Sequence, residues 1–188
     1  MASKKYKNLR ITVILLFVFL VFTKIDFRTS EPHPWSSHDD ASYYFHAYTV
    51  GLDFDLDYTN QVSKDSNFSK LNKSDNPVPT HPFGAGFLAS PFVFVGKIFN
   101  NLFSEMLHEN NNIIYFFYSL SAITYFFLTV LLIDKTLNNL EIKKISSINL
   151  LLLLSGSGLA YFAFERFSMT PVYEAFAVSL VIYISTLN

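Results

Sequence analysis

Apolar, uncharged stretches recur at 11–22, 113–133 and 145–164, and a fourth at 167–188 is interrupted only by Glu174. The segments between them are rich in Asp, Asn, Ser and Pro. A helix that crosses the hydrocarbon core of a bilayer needs about 20 residues. The runs 113–133 and 145–164 reach that length unaided and predict transmembrane helices. The first run reaches it only as 9–25, with Arg10 and Lys24 snorkelling toward the headgroups. A cleaved signal peptide shares its charged start and short apolar core. The sequence after it, Thr23-Lys24-Ile25-Asp26-Phe27-Arg28, lacks the small-residue cleavage pattern, so an uncleaved anchor is the preferred reading. The last run predicts a helix over 171–187 that enters the membrane and barely finishes.

Between the first two spans lies a long polar loop, 26–112, too poor in apolar periodicity to form a domain of its own. Its one apolar part, 82–103, carries Gly84, Gly86, Pro91, Gly96 and Lys97. Whether it crosses the membrane decides the topology. If it rests at the interface, Lys4, Lys5, Lys7 and Arg10 share the cytoplasmic side with Lys135, Lys143 and Lys144, as the positive-inside rule requires. If it crosses, those last three lysines face outward. The broken glycine and proline pattern also suits a juxtamembrane helix, because irregular backbone exposed to lipid leaves polar groups unsatisfied.

The expected arrangement is therefore an all-α, polytopic membrane protein: a cytoplasmic tail 1–8, a helix 9–25, an extracytoplasmic loop 26–112 with juxtamembrane helices (82–103), a helix 113–133, a cytoplasmic loop 134–144, a helix 145–164, an outer loop 165–170 and a helix 171–187. It allows Asp39, Asp40, Glu165 and Arg166 to meet on the outer face.

Composition agrees with lipid as the solvent. The chain is 51% hydrophobic and 18% aromatic with 21 Phe, and its 15% charged residues fall well below the roughly 25% of soluble domains. Its 14 basic and 15 acidic residues nearly cancel, so no basic excess points to nucleic acid. The absence of cysteine removes disulfides, thiolate metal sites and thiol nucleophiles. His33, His38, His46, His81 and His108 lack the i, i+4 spacing of a helical zinc site.

Candidate chemistry begins at His38-Asp39-Asp40-Ala41-Ser42-Tyr43-Tyr44. Adjacent carboxylates can act as a general base tuned by its neighbour, or as oxygen ligands for a hard divalent cation. They also occur in ordinary solvated turns.

The surroundings narrow the choice. After Asp39-Asp40-Ala-Ser-Tyr43 come Gly51-Leu-Asp53-Phe-Asp55-Leu-Asp57-Tyr-Thr-Asn60 and then Pro79-Thr-His81-Pro82-Phe-Gly84-Ala-Gly86, which leads into an apolar helix with Pro91. This order resembles the first extracytoplasmic loop of the GT-C superfamily, polytopic glycosyltransferases that include protein O-mannosyltransferases and aminoarabinose transferases. The resemblance covers about residues 1 to 187 and implies a membrane enzyme, or the N-terminal part of one. Such an enzyme transfers a sugar from a polyprenyl-phosphate donor to an acceptor outside the cytoplasm, in a bacterial cytoplasmic membrane. It further implies Asp39 as the base that deprotonates the acceptor hydroxyl, with Asp40 beside it and Tyr43, His81 and Arg166 binding substrate. Asp40 and Glu165 would hold a divalent cation, Mg or Mn. Two features depart from the family: Pro171 in Ser168-Met169-Thr170-Pro171 stands where relatives often have His, and GT-C enzymes usually have many more spans. A second chain supplying further transmembrane helices is the partner this implies.

Arg166 and Glu165 also read as ordinary interfacial residues at a helix end. Glu174 is either functional or simply within reach of water. Asn67-Phe-Ser69 and Asn72-Lys-Ser74 match the glycosylation acceptor pattern, and Gly156 and Gly158 suggest close helix packing. The rival function is a non-catalytic membrane subunit whose loop binds a partner chain or lipid. A transporter fragment is disfavoured because the acids gather in a loop and not near the bilayer midplane.

Overall fold

The computed structural model describes residues 38–62, 69–103, 113–142 and 147–187, with Phe19. The first expected span, 9–25, lies outside the described residues apart from Phe19. The remainder is mostly helical, as expected. Helix α1, His38–Tyr48, places Asp39 and Asp40 in its first turn, where carboxylates offset the positive end of the helix dipole. It runs into a single π-helical turn, Thr49–Asp53, closed by Phe54 in the left-handed region at φ 59°. A small antiparallel hairpin follows, β1 (Ser69–Leu71) against β2 (Pro77–Pro79). Asn72 builds its turn: the side-chain oxygen accepts the backbone N–H groups of Ser74 (2.8 Å) and Asn76 (3.0 Å).

Helix α2, Gly84–Phe103, is unbroken despite Pro91. Proline deprives the carbonyl four residues earlier of its donor. Here that carbonyl, of Phe87, accepts the Ser90 hydroxyl at 2.8 Å, and Tyr125 donates to the adjacent Leu88 carbonyl at 2.8 Å. The glycines are not breaks either. A Cβ on Gly86 would stand 2.3 Å from the His46 Cβ and 2.7 Å from the Tyr43 carbonyl oxygen, and one on Gly96 would stand 3.0 Å from Ile114 Cα. The glycine and proline pattern that suited a juxtamembrane helix therefore builds a continuous helix with two close crossings. It is long and apolar enough to cross a membrane.

So is α3, Ile113–Asn139, which continues past the expected end at Ile133 and is about 40 Å long at 1.5 Å per residue. It stops in a reverse turn with Glu141 at φ 53° and the Ile142 N–H on the Leu137 carbonyl. The single helix expected over 145–164 is divided into α4, Ser147–Gly156, and α5, Leu159–Phe164. Gly158 sits between them at φ 80°, and the Ser157 hydroxyl turns back to the Leu154 carbonyl at 2.7 Å. Nothing lies within 4 Å of a Cβ built on Gly156 or Gly158, so neither serves close helix packing, and Gly158, at positive φ, is the one the turn requires. Helix α6, Pro171–Ser185, opens with its proline where no intrahelical donor is needed.

α3 is the axis of the bundle. α2 packs antiparallel on its first half, with Phe99 against Phe117 at 5.0 Å. α4 and α5 return along its second half, bringing Phe164 to Phe126. α6 runs parallel to it, from the Tyr173 hydroxyl on Ser121 (2.7 Å) to Thr186 on Asn139 (3.1 Å). The loop between α5 and α6 thus gathers with α1 and the start of α3 at one end. An aromatic cluster of Tyr44, Tyr115, Tyr118 and Phe167 packs them together there. Each such pair adds about 0.5–1.5 kcal/mol beyond its burial.

Because α1 and α2 touch backbone to backbone at Gly86, Gly86→Ala is expected to destabilise the fold by about 1–3 kcal/mol through overpacking. Thermal melting in detergent reads this out, and an unchanged melting temperature would show that α1 can retreat without cost.

Candidate functional site

At the aromatic end of the bundle the two adjacent aspartates diverge. Asp40 points inward and is 3% exposed. Its Oδ2 accepts Arg166 Nη2 at 3.3 Å, and its Oδ1 accepts the Ser168 hydroxyl. Both donors stand on the short loop between α5 and α6, 126 and 128 residues away in sequence. Burying a carboxylate costs several kcal/mol unless it is paired and hydrogen-bonded, and here both conditions are met.

Asp39 points the other way. Its side chain is 44% exposed, and Oδ1 accepts His81 Nε2–H at 2.9 Å. The other nitrogen of His81 lies 2.9 Å from the Thr80 hydroxyl and 3.2 Å from that of Ser42. Tyr43 packs its ring on His81, centroid to centroid 5.6 Å. Burial, then the Asp39 carboxylate, push the Tyr43 phenol above its ordinary pKa, against a hydrogen bond with Thr170 that favours the charged form; Glu174 adds to the rise. Glu174 itself is exposed in the first turn of α6.

Behind His81 stands His46, 6% exposed. Its Nε2 lies 2.9 Å from the His81 carbonyl oxygen and its Nδ1 2.8 Å from the Tyr58 hydroxyl. A carbonyl only accepts, so Nε2 carries the hydrogen. In the neutral ring Nδ1 is then bare and accepts from Tyr58. Desolvation lowers the His46 pKa and outweighs the opposing hydrogen bond to the His81 carbonyl, while His81 lowers it further.

The linkage follows from that direction. The folded state keeps His46 neutral where the unfolded chain takes up a proton at about 6.5, so stability falls as pH drops below about 6.5 and levels off below the lowered folded value. The melting temperature is expected to fall between about pH 7.5 and about pH 5.5, and less so in His46→Gln. An equal fall in both chains would assign the loss to other groups.

Five of the site residues expected from sequence are brought together: Asp40 with Arg166, and Asp39 with His81 and Tyr43. Glu165 is exposed, and no group of three or more His, Asp or Glu able to hold a metal occurs among the described residues. Asp40 Oδ1 and Oδ2 each accept one hydrogen bond, from Ser168 and Arg166. The Asp53-Asp55-Asp57 element closes local turns, with Asp55 on the Asp57 N–H, Asp57 on Thr59, and Asp53 on Asn60. Sequence reasoning missed Ser168, which it discounted for the following Pro171, and also Ser42, His46 and Tyr58. The one available signal was the spacing of Ser42 and His46, which share a face of α1 with Asp39.

Among the described residues, the fold and site together define a mostly helical bundle with two helices long and apolar enough to cross a membrane, and with a polar centre at one end. Compared with known proteins, the chain matches no family model, no curated protein and no solved structure.

Proposed function

We propose that the chain is a membrane glycosyltransferase of GT-C type, or the N-terminal part of one, that moves a hexose or related sugar from a polyprenyl-phosphate donor to a hydroxyl acceptor outside the cytoplasm. The observation that carries the reading is the division of labour between neighbouring acids. Asp40 is buried on Arg166 and Ser168, while Asp39 is open to solvent and held on one oxygen by His81.

Transfer needs a base and a charge to receive the leaving group. The Asp39 carboxylate takes the proton of the acceptor hydroxyl as its oxygen attacks the anomeric carbon. The bond from that carbon to the phosphate oxygen breaks, and polyprenyl phosphate leaves with the electron pair. Arg166, whose side chain is 37% exposed beyond its bond to Asp40, offsets the developing phosphate charge. In this reading loop 26–112 faces outward and α3 crosses the bilayer inward from Ile113. α2 packs antiparallel on the outer half of α3 and turns its exposed apolar face to lipid. A second chain with further spans would help enclose the donor.

The alternative, a non-catalytic subunit, is favoured by one feature: Asp40 and Arg166 neutralise each other as an architectural pair would. The test is transfer of label from a panel of tritiated polyprenyl-phosphohexoses in membranes carrying the chain, against membranes carrying Asp39→Asn. Transfer is expected from the first and lost in the second; equal transfer by both overturns the catalytic role of Asp39, and no transfer above membranes lacking the chain overturns the enzyme reading.

A further inference from the structure

We infer that His46 is a positioning residue for the transfer proposed above, acting on Asp39 through His81, an inference that rests on that reading. Asp39, Ser42, Tyr43 and His46 recur at i, i+3, i+4 and i+7 on α1 and so share one face. That face grips a single dipeptide. Ser42 Oγ accepts the Thr80 backbone N–H at 3.3 Å, His46 donates to the His81 carbonyl at 2.9 Å, and Asp39 accepts from the His81 ring at 2.9 Å. Pro82 follows and biases His81 away from helical backbone, and the chain bends at Thr80 and His81 between the strand end at Pro79 and the start of α2 at Gly84.

The His81 ring is thus placed by its own backbone, and the backbone is placed by His46. Without that donor the carbonyl of His81 loses its partner and the peptide plane after it is free to turn, which carries the imidazole off the Asp39 oxygen. Tyr58 extends the arrangement one step outward, because its hydroxyl keeps the His46 ring turned with Nε2 toward His81. The Phe83 ring holds the same imidazole edge-on at 5.3 Å. His46 is 6% exposed and has no surface to offer an acceptor sugar or peptide, so its influence on the reaction passes through His81.

The experiment uses the full chain in membranes and the tritiated polyprenyl-phosphohexose that the unaltered chain consumes. His46→Phe keeps an aromatic ring and removes the donor, whereas His46→Gln puts an amide N–H where Nε2 stands. Misplacing a reacting group by about 1 Å costs up to about a hundredfold in rate. His46→Phe is therefore expected to lower kcat about ten- to a hundredfold with the donor KM changed less than about twofold. His46→Gln should recover most of the loss, and Tyr58→Phe should fall between. In a His81→Ala background, His46→Phe should cause no further loss of kcat.

A purely structural role would instead lower the folded fraction in both backgrounds, and a further loss in His81→Ala overturns the inference. So does full kcat in His46→Phe while Asp39→Asn is inactive, a result that leaves the proposed function standing. Full activity in Asp39→Asn removes the base from the reaction and the positioning role with it.

Discussion

Asp39→Asn is expected to slow sugar transfer by about 10²–10⁴-fold, the range over which a positioned general base contributes. The substitution is close to isosteric and acts at one atom. The amide oxygen can still accept the His81 Nε2–H, so the ring, the Ser42 and Thr80 contacts and the α1 face stay in place. What is lost is the second carboxylate oxygen as a proton acceptor. Because the side chain is 44% exposed and outside the aromatic cluster, the melting temperature should hardly move, in keeping with exposed ion pairs that contribute about 0–1 kcal/mol. Loss of transfer at unchanged stability separates chemistry from architecture. If transfer persists in a fully folded Asp39→Asn chain, the acceptor proton leaves by another route.

The parts legible in sequence were those governed by local pattern. Helix 113–133 followed from an unbroken apolar run, and the aspartate pair, Tyr43 and His81 from residues close together in one loop. What the sequence left open depends on contacts far apart along the chain. The partner of Asp40 was visible only as a shared membrane face, and Ser168 was passed over, because nothing local to either residue encodes a contact across 128 positions. The segment 82–103 was read as juxtamembrane helices because glycines and a proline interrupt its apolar pattern. In three dimensions Ser90 repairs the proline, and the glycines let backbones approach. At 145–164 the opposite occurred: the apolar count promised one helix, and Gly158 in a left-handed turn divided it. A hydropathy run records what lipid tolerates, whereas a glycine is spent on whichever close approach or positive φ the packing demands.

Arg166→Leu is the change in which stability and chemistry are most entangled, and a second substitution can part them. Removing the guanidinium leaves Asp40, 3% exposed, without its cation. Breaking a buried pair from one side costs about 3–5 kcal/mol. Arg166 is itself 37% exposed, and Ser168 still donates to the carboxylate, so about 2–4 kcal/mol is the expected loss. Asp40→Asn in the same chain removes the charge that needed compensation and keeps an acceptor for Ser168. The double variant should therefore melt above Arg166→Leu alone, although both lack the ion pair. If Arg166 only balances Asp40, sugar transfer returns together with stability in the double variant. If it also receives the leaving phosphate, the double variant is folded but still slow, by about the 10²–10³-fold that one preorganised donor to a developing anion is worth. Recovery of full transfer would reduce the Arg166–Asp40 pair to architecture and leave the phosphate to be neutralised by other residues.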